Sequence, residues 1–170
     1  MSTQYRNQKL RHLFRVFDTD VDGVLTKADF LDLGDKLADA IGSAPAPLRD
    51  AAQAGQAALW AGLRERAEHA EGVTFADFLA WADAVEAPSL ASWCERQFEL
   101  LARGQSTIGI AEYAAWCHAF ALPGDPDRMF RQLDHAGAEA IDGPEFLRLH
   151  LEFLRSDDID APGNVVWGQV

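Results

Sequence analysis

Apolar residues recur at helical spacing along almost the whole chain. Leu10, Leu13, Phe14 and Phe17 stand at i, i+3, i+4 and i+7, the stripe of one amphipathic helix, and Phe30, Leu33, Leu37 and Ile41 make the stripe of a second. Near the far end, Phe146, Leu149, His150 and Phe153 trace one more, expected to stop near Arg155. Pro45-Ala46-Pro47 breaks the pattern after the second helix, and a further helical stretch is expected from about Leu48 to His69.

The pattern repeats. An apolar residue, a capping residue, two spacers, an acid and an aromatic occur as Leu25-Thr26-Lys27-Ala28-Asp29-Phe30 and as Val73-Thr74-Phe75-Ala76-Asp77-Phe78. They recur as Ile141-Asp142-Gly143-Pro144-Glu145-Phe146, with a looser copy at Ile108-Gly109-Ile110-Ala111-Glu112-Tyr113. Internal repetition outranks local propensity as a fold signal. Four helix-loop-helix units follow, the first and second separated by the longest linker. The acids fit capping boxes at helix starts, each contributing about 1 kcal/mol. Leu25, Val73, Ile108 and Ile141 are expected to pair as short antiparallel strands between partner loops.

Only the first inter-helix loop concentrates chemistry. Between Phe17 and Phe30 it places Asp18, Asp20, Asp22 and Asp29 around Gly23. Carboxylates crowded within a few ångströms repel one another unless a cation sits among them. The spacing wraps oxygen donors around one hard divalent ion: side chains of Asp18, Asp20 and Asp22, the Val24 carbonyl, Thr26 by its hydroxyl or through water, and Asp29 as the closing carboxylate. A solvated acidic turn, with Thr26 and Asp29 as a capping box, is the plainer alternative. It explains neither the first three aspartates nor Gly23.

Helix, acidic loop, helix is an arrangement that resembles the EF-hand calcium-binding proteins. Four such units with a long first linker are similar to the sarcoplasmic calcium-binding group, including its bacterial calerythrin-like members, and the coelenterazine photoproteins share that architecture. The resemblance implies an all-α fold of four EF-hand-like units in two packed lobes, with short β pairing between loops. It places an N-terminal pair in residues 1–87, a C-terminal pair in 88–155 and a tail in 156–170 that folds back on the body. It also implies Ca2+ as the ion. At the position where the family usually carries glutamate this chain has the shorter Asp29, which lowers calcium affinity and lets Mg2+ compete.

The other loops depart further. In the second, the ligand positions fall on Arg66, Glu68, Ala70, Gly72, Thr74 and Asp77, and a guanidinium stands where the ion should sit. The third, from about Ala102 to Glu112, contains no aspartate and includes Arg103. The fourth keeps Asp134, Asp142 and Glu145, but Ala136 and Ala138 replace ligands, and Glu139 stands where glycine turns the loop. One competent site is expected.

Composition narrows the partners. With 170 residues, 48% apolar and 10% aromatic, the chain can bury a real core. The formal net charge of -12 repels nucleic acid and anionic membranes, so neither is an expected partner. Two cysteines, Cys94 and Cys117, make no disulfide framework and read as buried reduced thiols. The first fifteen residues carry neither a signal-peptide apolar region nor a glycine at position 2, so a cytoplasmic monomer is expected. No nucleophile elbow, zinc-protease helix, phosphate loop or dinucleotide fingerprint is present, and the expectation is a protein that is not an enzyme.

Five tryptophans leave a second function open. Core packing accounts for them most simply. The alternative is a pocket for a small apolar organic ligand, for which Trp81, Trp116, His118, His150 and Trp167 are the candidate residues. The tail from Ser156 to Val170, polar and then apolar around Trp167, reads as a lid, or as a segment filling a groove otherwise open to a partner protein. The leading expectation is a calcium buffer or modest sensor. A scaffold repurposed to bind or transform an organic molecule stands as the rival.

Overall fold

A computed structural model describes residues 4–42, 46–69 and 71–170. The linker prolines are therefore only partly covered: Pro45 lies outside the described residues, as does Ala70 of the second loop. Eight α-helices are present among the described residues: α1 (Gln4–Phe17), α2 (Lys27–Ala40), α3 (Ala46–Arg64), α4 (Phe75–Ala84), α5 (Ala87–Ala102), α6 (Ile110–Ala119), α7 (Pro126–Leu133) and α8 (Gly143–Arg155). Two short strands, β1 (Thr107–Ile108) and β2 (Ile141–Asp142), form an antiparallel pair, and a 3-10 turn covers Pro162–Val165. The fold is all-α, with helices paired around loops.

The linker helix α3 stops at Arg64, short of His69, because the chain must enter the second loop there. It packs along α2 and against α5, where the buried Gln56 side chain donates to Gln97 Oε1 at 3.1 Å. Elsewhere the stripes land as their periodicity requires. Leu10, Leu13, Phe14 and Phe17 of α1 are buried, and so are Phe30, Leu33 and Leu37 of α2. Phe17 lies at the centre, 5.3 Å from Phe30, 6.2 Å from Phe78 and 5.4 Å from Trp167 by ring centroids.

The loops meet in pairs through their apolar residues. Leu25 and Val73 exchange two backbone hydrogen bonds of 2.9 Å, forming an isolated antiparallel bridge. Ile108 faces Ile141 in the β1–β2 pair. All four side chains are buried, so each loop is anchored to the core whatever its polar residues do. Gly72 permits the first pairing, because a Cβ there would lie 2.4 Å from Val24 Cγ1 and 2.7 Å from the Leu25 carbonyl oxygen.

The tail from Gly163 to Gly168 is buried. Tyr113 donates to the Val165 carbonyl (2.7 Å), and Trp116 Nε1 to the Val166 carbonyl (3.2 Å). From α1, the buried Lys9 ammonium donates to the Ser156 carbonyl (2.9 Å) and Asn164 Oδ1 (2.7 Å), while the His12 ring meets the Trp167 carbonyl at 2.7 Å. Burial lowers Lys9 to about 8, an effect that Asp157 and Glu152 partly oppose. No helix among the described residues is long and apolar enough to cross a membrane.

Candidate metal centre

The loop between α1 and α2 folds around its own carboxylates. Asp18 closes the last turn of α1, its N–H donating to the Phe14 carbonyl at 2.9 Å. Its side chain is buried and accepts the amides of Asp22 (3.1 Å) and Gly23 (2.9 Å). Asp20 also accepts the Asp22 amide (3.3 Å), and Asp22 accepts that of Val24 (2.8 Å). The backbone reverses through two left-handed residues, Val21 at φ 61° and Gly23 at φ 86°. Glycine takes that conformation without strain; the exposed Val21 does not.

Carboxylate oxygens of Asp18, Asp20 and Asp22 come within 4.8 Å of one another. The Asp20 carboxyl is pushed above its usual range, first by loss of solvent and then by the like charges of Asp29, Asp22 and Asp18. Hard oxygen donors that share one small volume and repel one another fit a hard divalent cation. No other convergent group of three His, Cys, Asp or Glu side chains occurs among the described residues.

Asp29 stands apart from that trio. One oxygen accepts the Thr26 amide (2.7 Å) and hydroxyl (2.8 Å); the other accepts the Thr19 amide (2.9 Å) and hydroxyl (3.0 Å). Burial pushes its carboxyl up, but these four bonds outweigh it and hold Asp29 below the usual range. Thr19, which the sequence reading passed over, is thus half of the clamp on Asp29. A threonine at the second position of an acidic loop carries no signal that would have singled it out. Val24 directly precedes the Leu25 bridge, and Thr26 is the N-cap of α2.

In the second loop, Asp77 is held well below the usual range despite burial, by Thr74 (hydroxyl 2.7 Å, amide 2.9 Å), the Glu68 amide (3.2 Å) and the His69 ring (3.1 Å). Arg66 is exposed. In the third, Glu112 accepts the Gly109 amide at 2.8 Å. In the fourth, Asp134 accepts the amides of Ala138 (3.0 Å) and Glu139 (2.7 Å), and Asp142 caps α8 through the Glu145 amide (2.8 Å). Glu145 is taken by Arg148 through two contacts of 2.7 and 2.8 Å, which hold its carboxyl below the usual range. Arg148 was also missed, although an acid and an arginine three apart on one helix face is a legible pairing.

The aromatic candidates fall into three places. Trp116, His150 and Trp167 pack on one another, with ring centroids 4.8 Å (Trp116–Trp167), 5.7 Å (His150–Trp167) and 5.8 Å (Trp116–His150) apart. Trp81 lines a cleft of about 90 Å3 beside α3 and α5. His118 is exposed at the end of α6. The His150 Nδ1–H donates to the Phe146 carbonyl (2.8 Å), while its Nε2 and the Trp93 indole nitrogen are buried without partners. Burial lowers His150 to about 4, so the ring is neutral near pH 7.

No protein-family model matches the sequence, and no curated protein matches it. Solved structures do. A sarcoplasmic calcium-binding protein from amphioxus is 23% identical, with a TM-score of 0.75 over 100% of both chains. A calcium-binding protein of Streptomyces coelicolor involved in calcium-mediated regulation is 20% identical, with a TM-score of 0.70 over 88% of this chain and 97% of that one. The calcium-loaded apo form of a coelenterazine-binding protein from Renilla muelleri is 16% identical, with a TM-score of 0.71 over 98% and 96%. The fold is thus that of the sarcoplasmic-type EF-hand proteins.

Proposed function

We propose that the chain binds calcium at one site, the loop from Asp18 to Asp29, and acts as a calcium buffer or modest sensor. The observation that carries this reading is the convergence of Asp18, Asp20 and Asp22 within 4.8 Å on a loop turned by Gly23. Those three side chains would hold the ion, with the Val24 carbonyl, Thr26 and Asp29 completing the set. A bound dication would supply charge to offset the crowded carboxylates. Both Asp29 oxygens already accept hydrogen bonds, so closing on an ion competes with Thr19 and Thr26. Together with the short Asp29 side chain, this favours modest affinity and competition by Mg2+. A single site also lacks the coupled partner that a steep switch needs.

Calorimetric titration with calcium and with magnesium tests the reading. Wild type is expected to take up one calcium per chain, and Asp18→Ala to take up none. Failure of the wild type to bind either ion overturns it.

A second reading has its own observation. The unpartnered His150 Nε2 and Trp93 Nε1 lie among Trp116, Phe146 and Trp167, polar atoms inside an aromatic cluster. An apolar organic ligand with a donor for His150 Nε2 and an acceptor for the Trp93 indole N–H would satisfy both atoms, and a coelenterazine-binding protein shares the fold. Native mass spectrometry of the freshly purified chain is the test. A retained organic mass supports this reading, and a bare chain mass counts against it.

A further inference from the structure

A cleft of about 520 Å3 opens between α1, α2 and the chain leaving α6, on the outer side of Phe120, whose ring packs on Trp116 and Trp167 at 4.5 and 5.2 Å. That volume falls in the range of roughly 300–1,000 Å3 that holds small organic molecules. Its floor is apolar, built by Val16, Leu33, Ala40 and Phe120. Its rim carries Arg15, Lys36 and His118, a concentration of nitrogen donors on a molecule whose net charge is -12.

The state of each polar group decides what the cleft can take. Its two acids are already engaged: Asp18 accepts the Asp22 and Gly23 amides, and Asp39 is paired with Arg49. The His12 ring, also on the wall, is committed to the Trp167 carbonyl at 2.7 Å. Lys36 shares its charge with Asp32 at 2.7 Å, both side chains being about half exposed, a pair that an incoming anion can exchange at little cost. The side chains of Arg15 and His118 make no hydrogen bond or ion pair among the described residues, and both residues are exposed. Donors are therefore free where acceptors are not.

We propose that this cleft binds a small amphipathic organic anion, with one negative head on Arg15, Lys36 and His118 and an apolar body on the floor formed by Val16, Leu33, Ala40 and Phe120. One charged head suits the site better than several, because a polyanion would extend past the rim into the acidic remainder of the surface. Asp18 and Thr19 belong both to the cleft wall and to the acidic loop. A cation held by that loop adds positive charge beside the anion's head, so each ligand raises the affinity for the other by the same factor. The coupling rests on the calcium reading of the loop. Anion binding does not.

Octanoate and 1-octanol, which share a chain and differ in charge, are the probes. Each is titrated into the full chain, with and without calcium, and followed by amide shifts in two-dimensional NMR. Octanoate is expected to shift the amides of Val16, Leu33, Ala40 and Phe120 with saturation, and octanol to bind at least about tenfold more weakly. The double variant Arg15→Gln/His118→Gln, its fold checked by circular dichroism, is expected to lose about tenfold in octanoate affinity. Equal affinity for octanoate and octanol, shifts centred elsewhere, or an unaffected double variant would each overturn the proposal. Calcium is expected to tighten octanoate binding in wild type and to leave it unchanged in Asp18→Ala. Octanoate binding that ignores calcium in both proteins removes the coupling and leaves the anion site standing.

Discussion

The first and fourth loops make nearly the same backbone turn and carry opposite chemistry. In each, the aspartate at the loop's start accepts two amides, four and five residues on: Asp22 and Gly23 on Asp18, Ala138 and Glu139 on Asp134. In each, left-handed residues stand at the fourth and sixth positions, Val21 and Gly23 in one, Gly137 and Glu139 in the other. The glycine has changed places, and the turn has survived. What differs is where the charge goes. The first loop gathers three carboxylates that make no ion pair among the described residues, whereas the fourth has alanines at two of those positions and pairs Glu145 with Arg148. Loop shape is therefore held by the leading aspartate and by the apolar residue anchored in the core. Capacity for an ion depends on side chains that the turn does not need.

The comparison breaks most sharply at Asp18. Asp18→Ala removes both a carboxylate and the acceptor of two amides, so calcium uptake measured by calorimetry is expected to vanish. Asp134→Ala is expected to leave uptake unchanged and to cost about 1–3 kcal/mol of stability in a chemical denaturation series, by freeing the Ala138 and Glu139 amides.

Conversion is the second test. Ala136→Asp, Ala138→Asp and Glu139→Gly together give the fourth loop the acids and the glycine of the first. The expected outcome is a second bound calcium per chain by native mass spectrometry, and affinity at the new site should rise when Arg148→Ala frees Glu145. A turn that still takes up no second ion would show that more than the ligand set separates the two loops.

A smaller effect separates the two closing carboxylates. Both Asp29 and Glu145 are held below their unfolded values, so each contributes stability above the unfolded carboxyl range of about 4, lost as pH falls through the folded value. The causes differ: threonine amides and hydroxyls for Asp29, a half-exposed guanidinium for Glu145. Thermal unfolding in the apo state between pH 7 and pH 3 should show Asp29→Asn reducing the acid-linked loss of stability at low and high salt alike. Arg148→Ala should do so only at low salt, by about 0.5 kcal/mol. The smallest change expected to be measurable is Glu139→Gly: relief of a left-handed glutamate, partly offset by the greater unfolded-state freedom of glycine, should stabilise the chain by roughly 0.4 kcal/mol.

Much of this architecture is legible in the sequence because it depends on local periodicity. The stripes of α1, α2 and α8, the pairing of Leu25 with Val73 and of Ile108 with Ile141, and the crowding of Asp18, Asp20 and Asp22 all follow from spacing along the chain. What escaped depends on distant partners or on backbone conformation. Nothing in the residues around Lys9 announces that its ammonium is buried against Ser156 and Asn164, because those groups arrive from the other end of the chain. The engagement of Asp29 by Thr19 was hidden for a different reason, since a carboxylate reads as a ligand or as a cap with equal ease. The turn of the fourth loop was obscured by its displaced glycine: Glu139 stands where glycine was sought, while Gly137 does part of the same work two residues earlier.

The difference between the two loops is read most directly from their own amides during a calcium titration. In a two-dimensional NMR series, the Gly23 amide, bonded to Asp18, is expected to shift and saturate at one calcium per chain, while those of Gly137 and Glu139 stay in place. Movement of Gly137 and Glu139 together with Gly23, or a Gly23 amide that ignores calcium, would contradict the account.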